Sequence, residues 1–178
     1  MKSEKTILDA EQIRLCIEKI ADSIVKEFGA DKISQIGFLG IQANGVPLAE
    51  RISAEIEKVG VRPSCGALDI SMFRDDIGAK KEIFGIRETS IPFDVEESIV
   101  ILVDDVLHTG RTIRAALDAI TNYGRPSMIR LAVLIDRGGR EFPIQPDYVG
   151  KTVQVPTNAR IIVNWQELDK EDRAYIEE

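Results

Sequence analysis

The chain has 178 residues, of which 44% are hydrophobic and only 6% aromatic, so it can bury one core rich in aliphatic side chains. Its 23 basic and 30 acidic residues give a net charge of -7, which argues against broad nonspecific affinity for nucleic acid. No run of about 18 apolar residues occurs, and Cys16 and Cys65 are widely spaced, so we predict a cytoplasmic protein without a membrane span, signal peptide or disulfide.

The first part of the chain predicts strands and helices in alternation. Apolar residues at helical spacing predict an amphipathic helix over 10–28. A short apolar run over 35–41 predicts a strand, and the glycine turn 43–45 leads from it into a second helix that ends near Val59. Another strand is predicted over 66–72.

The middle of the chain continues the alternation after a long loop. Residues 73–95 are polar and rich in glycine, whereas 99–103 is a continuous β-branched run that predicts a buried central strand. A helix is predicted from 109–112 onwards, with its apolar stripe at Ile113, Leu117 and Ile120. A further strand is predicted over 129–135.

The repeated strand–helix–strand units predict an α/β fold with a central, mostly parallel sheet flanked by helices. We predict one domain over 1–178, with a core over about 1–137. The segment of about 138–165 is predicted to be irregular and to form a small C-terminal hood over the carboxyl edge of the sheet. The acidic run 167–178 is predicted to be a solvated helix or tail.

The stretch 100–112, which reads Val-Ile-Leu-Val-Asp-Asp-Val-Leu-His-Thr-Gly-Arg-Thr, carries the strongest functional signal. It sets Asp104 and Asp105 at the end of the predicted buried strand, where open α/β sheets bind ligands. The turn that follows offers backbone N–H groups and threonine hydroxyls to a phosphate. Two adjacent carboxylates suit the two hydroxyls of a ribose. Acids that cap the helix or hold a metal are the alternative interpretation.

This thirteen-residue string is similar to the signature with which type I phosphoribosyltransferases bind 5-phosphoribosyl pyrophosphate (PRPP). The resemblance covers about residues 5–170, and the strings over 69–76, 124–127 and 134–144 narrow it to the PyrR subfamily. PyrR proteins are uracil phosphoribosyltransferases, and some also bind messenger RNA. The resemblance implies the type I phosphoribosyltransferase fold and an enzyme that makes UMP and pyrophosphate from uracil and PRPP.

The resemblance also implies a role for each part of the site. The residues that it assigns to the ribose and the 5-phosphate are Asp104, Asp105, Val106, Leu107, His108, Thr109, Gly110, Arg111 and Thr112. Those assigned to pyrophosphate are Ala43, Asn44, Gly45 and Arg74, and those assigned to the base are Arg137, Ile162 and Val163, for which core packing is the alternative at Val163. Mg²⁺ would be held chiefly by substrate and water, with Asp104 as the candidate protein ligand.

Two positions depart from the subfamily pattern. Most PyrR-like chains have Thr-Arg where this one has Ala43 and Asn44, which removes a positive charge beside the leaving group. Weaker pyrophosphate binding or a shifted substrate is expected, although a plain turn is the alternative. His108, the only histidine, stands where most have Tyr. It is a candidate to contact the base and accept its proton, or it faces solvent.

Residues 73–92 form a candidate lid, in which Lys80, Lys81 and Arg87 could close on pyrophosphate. The resemblance implies a homodimer or homotetramer, and an exposed region around Phe73 is a candidate interface.

Two other functions stay open. One is an RNA-binding attenuation regulator with a nucleotide-sensing pocket, to which Arg140 and Lys151 could contribute. Against it, Glu18 and Asp22 on the first helix flank Lys19 and would repel a phosphate backbone. The other is a phosphoribosyltransferase for a purine base, because the PRPP signature is shared across the class.

Overall fold

The computed structural model of the protein describes residues 4–75 and 88–177. Its strands are β1 (Glu4–Leu8), β2 (Ile36–Ile41), β3 (Ser64–Leu68), β4 (Ile99–Leu107), β5 (Met128–Asp136), β6 (Tyr148–Thr152), β7 (Arg160–Asn164) and β8 (Arg173–Glu177). Its α-helices are α1 (Ala10–Phe28), α2 (Ala30–Ile33), α3 (Gly45–Ile56), α4 (Arg111–Ile120) and α5 (Gln166–Asp169), with 3-10 turns at Glu57–Val59 and Ser71–Phe73.

Five strands form a large parallel sheet in the order β3-β2-β4-β5-β6. The two central strands are rich in buried aliphatic side chains because helices cover both faces, as expected for parallel sheets. One hydrophobic cluster lies between the sheet and α1 and α3, and a second lies under α4. The predicted α/β fold with a mostly parallel central sheet is confirmed.

Helix α1 has the predicted bounds. Its first turn is fixed by a capping box, in which the Gln12 amide donates to Asp9 Oδ1 at 2.8 Å and the Asp9 amide donates to Gln12 Oε1 at 3.1 Å. Its apolar stripe is buried against α3 and β6. No helix in the described part of the chain is long and apolar enough to cross a lipid bilayer.

Two strand boundaries were predicted wrongly. Strand β3 spans 64–68 and not 66–72, because the Asp69 carboxylate accepts bonds from the Ser71 amide and hydroxyl and turns the chain away. Strand β4 does not end at Val103 but pairs with β5 as far as Leu107. The two acids of the signature therefore lie within the strand and not after it.

The end of the chain is more regular than predicted. Residues 148–152, predicted to be irregular, form the edge strand β6 of the large sheet. Residues 173–177, predicted as a solvated helix or tail, form β8 in the middle of an antiparallel sheet of order β1-β8-β7. This small sheet is the hood, and its outer strand β1 comes from the other end of the sequence.

The hood shares a core with the large sheet. Trp165 and Ala174 are fully buried and join the cluster that also contains residues of α1 and α3. Such continuity supports our proposal of a single domain. The predicted apolar stripe of α4 was wrong at Leu117, which is 36% exposed. The helix packs through alanines as well as isoleucines, and its buried residues are Ile113, Ala115, Ala116, Ala119 and Ile120.

Candidate functional site

A pair of buried acids lies near the carboxyl end of β4. Asp104 is only 7% exposed, and Asp105 is half-buried beside it. The Asp105 amide donates to Asp104 Oδ1 at 3.0 Å, and the Val106 amide donates to Asp105 Oδ1 at 2.8 Å. The chain therefore supplies part of the hydrogen bonding that these carboxylates need and leaves acceptor capacity for a ligand.

Burial changes the acidity of the pair. It raises the pKa of Asp104 well above the ordinary value, and the neighbouring charge of Asp105 raises that pKa further, while the positive charge of Arg74 opposes the shift. Burial also raises the pKa of Asp105, against the hydrogen bond from Asn44. A buried pair of acids can be stabilised by hydroxyl donors or by a cation.

The turn after β4 has its carbonyl groups bound on one side. Leu107, His108 and Thr109 each accept hydrogen bonds through their carbonyl oxygens from the segment 137–142, at 2.9 to 3.0 Å. The amides of His108, Thr109 and Gly110 have no acceptor within residues 4–75 and 88–177. These amides precede α4, whose N-terminus adds a positive dipole. Open amides at a helix N-terminus are an arrangement that can bind an anion.

Two other residues of the predicted phosphate set lie beside the turn. The Arg111 guanidinium binds Glu141 at 2.7 Å and Asp75 at 2.8 Å. It also lies over the Phe142 ring at 5.2 Å. Arg111 thus connects α4 with neighbouring segments, and its backbone amide donates to the Thr109 hydroxyl at 3.3 Å. Thr112 lies in the first turn of α4.

The turn 43–45 packs directly against the acid pair. The Asn44 Nδ2 atom donates to Asp105 Oδ2 at 2.9 Å and to the Val163 carbonyl at 3.2 Å. A Cβ atom on Gly45 would lie 2.2 Å from the Val103 carbonyl oxygen, so only glycine lets the turn approach β4 this closely. The peptide bond between Gln42 and Ala43 is cis. The structure thus brings the residues predicted for pyrophosphate and for ribose together.

A cavity of about 300 Å³ lies next to the carboxyl end of β4. Its wall is formed by Val106, His108, Arg137, Thr157, Asn158, Ala159, Arg160 and Ile161. The first three of these residues were predicted as site residues, but the segment 157–161, which ends a loop and begins β7, was not. The turn-forming sequence Pro-Thr-Asn at 156–158 was the available signal for a loop there, but it carried no information on which cavity the loop would line.

Arg137 supports this loop. Its Nη1 donates to the Ala159 carbonyl at 2.7 Å and its Nη2 to the Pro156 carbonyl at 3.0 Å. Its Nε is buried and has no partner among the described residues. Burial lowers the pKa of the guanidinium below its ordinary value. The predicted base contacts Ile162 and Val163 are not among the cavity residues, and Val163 is 3% exposed in the core.

His108 lies at the junction of the phosphate turn and the cavity. Its side chain is half-buried, and burial lowers the pKa of the imidazole, as do the charges of Arg137 and Arg140, against an opposing effect of Glu141. The imidazole is therefore neutral at neutral pH and can accept a proton or a hydrogen bond.

The residues considered for RNA binding are bound within the fold. Lys19 Nζ donates to the Gly150 carbonyl at 3.1 Å, and Lys151 Nζ donates to the Ile7 carbonyl at 3.1 Å. Arg140 binds the Asp136 carboxylate at 2.7 Å as well as two carbonyl oxygens. Although burial by itself raises the pKa of Asp136, the bonds from Arg140 and from a backbone amide lower it overall.

Two further predictions concern metal and lid. Within the described ranges no group of three or more His, Cys, Asp or Glu side chains could hold a metal ion. Lys80, Lys81 and Arg87, predicted for the lid, lie outside the described residues. Both cysteines are free thiols.

Comparison with protein families gives a match over nearly the whole chain. A family model for the phosphoribosyl transferase domain matches residues 3–169. The protein named bifunctional protein PyrR from Roseiflexus sp. (strain RS-1) is 48% identical over 167 residues, which cover 93% of this chain and 90% of the relative. The protein of the same name from Chloroflexus aurantiacus is 46% identical over 177 residues, covering 99% of this chain and 96% of the relative.

Solved structures share the fold at much lower identity. The hypoxanthine phosphoribosyltransferase of Trypanosoma cruzi superposes with a TM-score of 0.73 at 18% identity, covering 97% of this chain and 95% of that one. The HGPRT-ase from Leishmania tarentolae in complex with GMP has a TM-score of 0.73 at 17% identity, covering 96% of this chain and 94% of that one.

Proposed function

The chain belongs to the phosphoribosyltransferase family, and within it to the PyrR proteins, and on this premise we propose that it transfers the 5-phosphoribosyl group of PRPP to uracil. The products are UMP and pyrophosphate. One observation carries the proposal: a buried acid pair adjoins a turn whose amides have no acceptor among the described residues. The acids fit a ribose diol and the amides fit its 5-phosphate.

The reaction breaks the bond between C1 of the ribose and a pyrophosphate oxygen, whose electron pair leaves with pyrophosphate. A nitrogen of uracil bonds to C1 and loses its proton. Asp104 and Asp105 hold the ribose hydroxyls, the turn 107–112 fixes the 5-phosphate, and both restrict motion of the sugar as positive charge develops on its ring. We assign pyrophosphate to the turn 43–45 and to Arg74, because Asn44 binds Asp105 and the charge of Arg74 acts on Asp104.

Mg²⁺ fits the chemistry of the acid pair. Magnesium prefers oxygen ligands and keeps several waters, so one carboxylate plus substrate oxygens is a sufficient set. We propose Asp104 as the protein residue that would hold it. When bound, the ion would neutralise the charge of the departing pyrophosphate.

The base occupies the cavity between the phosphate turn and the loop 157–161. A guanidinium has five N–H groups, and Arg137 uses two of them on the carbonyls of Pro156 and Ala159, so others can donate to a carbonyl of uracil. Neutral His108 is placed to accept the proton that the base loses. Backbone groups of the loop are better candidates for the base edge than Ile162 or Val163.

The test is an assay of PRPP consumption with Mg²⁺ and one base at a time: uracil, hypoxanthine, guanine, xanthine or orotate. We expect UMP and pyrophosphate with uracil and no comparable product with the other four. If a purine base were converted and uracil were not, the proposal would be overturned in favour of a purine phosphoribosyltransferase.

We further propose that the enzyme works in the cytoplasm as a homodimer or homotetramer.

Binding to a pyrimidine-operon leader RNA is a separate activity, which a filter-binding titration at two salt concentrations tests. Because Lys19, Arg140 and Lys151 all bind within the fold, we expect no salt-sensitive specific complex through them.

A further inference from the structure

We infer that Asn44 is a positioning residue for the sugar site: its side-chain amide fixes the Asp105 carboxylate and ties the turn 43–45 to strand β7 of the hood. The inference rests on the proposed function, because it assigns a role within the same site. It also moves the Asn44 side chain from the pyrophosphate contacts, where the resemblance put it, to the support of the ribose contacts.

The first observation is an unused cap. Asn44 occupies the N-cap position of α3, where an asparagine side chain normally accepts a bond from a backbone amide of the first helical turn. Here its backbone is itself helical, with φ -75° and ψ -20°, and the side chain makes no capping bond. The side chain reaches away from the helix and into the site.

The second observation is the pair of partners that it reaches. Nδ2 donates to Asp105 Oδ2 at 2.9 Å and to the Val163 carbonyl at 3.2 Å. A carbonyl oxygen and an ionised carboxylate only accept, so the chemistry of the partners assigns this atom as the nitrogen. The bonds join segments that are 61 and 119 residues apart in the chain.

The third observation concerns what remains for a ligand. A side-chain amide has two N–H groups, and two acceptors already use them. The other atom of the amide, Oδ1, is an acceptor and has no attraction for pyrophosphate oxygens. The side chain of Asn44 therefore acts on the ribose through Asp105, whereas pyrophosphate can meet only backbone groups of the turn.

Close packing makes this support rigid. Gly45 lies directly on the Val103 carbonyl, so the turn cannot shift towards β4 when the amide is removed. Without the amide, Asp105 Oδ2 loses the donor that lies 2.9 Å from it, and the carboxylate can rotate away from the position that a ribose hydroxyl needs.

Two ligands separate the two roles in a calorimetric titration with Mg²⁺: ribose 5-phosphate fills only the sugar site, and pyrophosphate fills only the leaving-group site. For Asn44→Ala we expect ribose 5-phosphate to bind about tenfold more weakly, the size of one hydrogen bond to a charged group. Pyrophosphate should bind as it does to the unchanged protein. The KM for PRPP should rise in uracil turnover.

The matched control is Asn164→Ala. Asn164 lies next to Val163 on β7, and its Nδ2 donates to Glu171 at 2.7 Å on the exposed surface. This substitution removes a hydrogen bond of the same type from β7 without touching the acid pair. The binding of ribose 5-phosphate and of pyrophosphate should therefore stay unchanged. Asn44→Asp keeps the shape but loses both donors and adds a like charge, and we expect it to weaken ribose 5-phosphate at least as much as alanine does.

Retained pyrophosphate binding shows that a variant is folded. If the Asn44→Ala variant does not fold, the Asn44→Asp variant is used for the same test. Weaker binding of pyrophosphate with unchanged ribose 5-phosphate would overturn the inference, as would unchanged binding of both ligands. If Asn44→Ala weakened the binding of ribose 5-phosphate but the unchanged protein did not use uracil, only the proposed identity of the base would be contradicted. If the unchanged protein bound neither ligand, the proposed function and the inference would fall together.

Discussion

The two halves of the proposed site are built in different ways. The proposed sugar-phosphate half comes from one continuous stretch, 104–112, in which acids and open amides follow each other along the chain. The proposed base half is assembled from separate segments, with His108 after β4, Arg137 after β5, and residues 157–161, which end a loop and begin β7. The residues of the first half are therefore neighbours in the sequence, whereas those of the second meet only once the strands are paired.

The halves also differ in how their polar groups are satisfied. On the sugar side the buried acids have raised pKa values and the turn amides have no acceptor among the described residues, so a ligand completes the hydrogen bonding. On the base side Arg137 already donates to two carbonyls and holds the loop in place. Changes on the sugar side should thus impair PRPP binding, and changes on the base side should impair selectivity and affinity for uracil.

The largest effect is expected for Asp104→Asn or Asp105→Asn. Each removes a charged acceptor for a ribose hydroxyl, so we expect kcat/KM for PRPP to fall about 100-fold, the size of one strong charge-assisted bond. Steady-state kinetics at saturating uracil measures it. Asp118→Asn, on the exposed face of α4, is the control and should leave the rate unchanged. An equal loss in both variants would contradict the assignment.

The same Asp104→Asn variant should be more stable than the unchanged protein at neutral pH. The folded pKa of Asp104 is raised, so its contribution to stability is present below the unfolded pKa of 3.8 and is lost as the pH rises through the folded pKa. Asparagine does not ionise and avoids this loss. Thermal melts should show a gain at pH 7 that shrinks towards pH 4; a loss of stability at pH 7 would contradict the raised pKa.

The next effect tests the phosphate turn. Gly110 has φ +90°, and a Cβ there would lie 3.3 Å from the Cβ of Phe142, so Gly110→Ala should distort the amides. We expect the KM for PRPP to rise roughly fivefold to thirtyfold, from a strain of about 1–2 kcal/mol, with the KM for uracil unchanged. Gly29→Ala carries similar strain at φ +74° with no atom within 4 Å, and should lower stability only.

A smaller effect on the other half comes from Arg137→Met. Two carbonyls of the loop lose their donors, so we expect the KM for uracil to rise about tenfold while the KM for PRPP stays unchanged. Arg62→Met removes an exposed arginine that does not line the cavity and serves as control. If the KM for PRPP changed and the KM for uracil did not, the division of the site into two halves would be wrong.

The smallest effect is expected for His108→Ala, about fivefold on the rate with uracil, the size of one neutral hydrogen bond. Burial and the charges of Arg137 and Arg140 lower the pKa of His108 below its ordinary value, so the imidazole is neutral at neutral pH and takes up a proton only in more acidic solution. The ratio of the rates of the unchanged protein and the variant should therefore be constant around neutral pH and decline at acidic pH. An unchanged rate and base preference would remove His108 from the mechanism.

Local patterns predicted most of the elements. The capping box and apolar stripe gave α1, and the continuous β-branched run gave the start of β4. Predictions were wrong where pairing with a distant segment decides the conformation. Residues 105–107 are extended because β5 lies beside them, and residues 173–177 form a strand because β1 and β7 flank them.

The proposed sugar-phosphate signature could be recognised from the sequence, since its apolar run, two acids and glycine turn are adjacent residues. Tertiary structure alone decided that Asn44 binds Asp105 and that Arg137 holds the loop 157–161. Those contacts join segments up to 119 residues apart, and hydrogen bonds between such segments depend on sheet order and packing, which leave no local pattern in the chain.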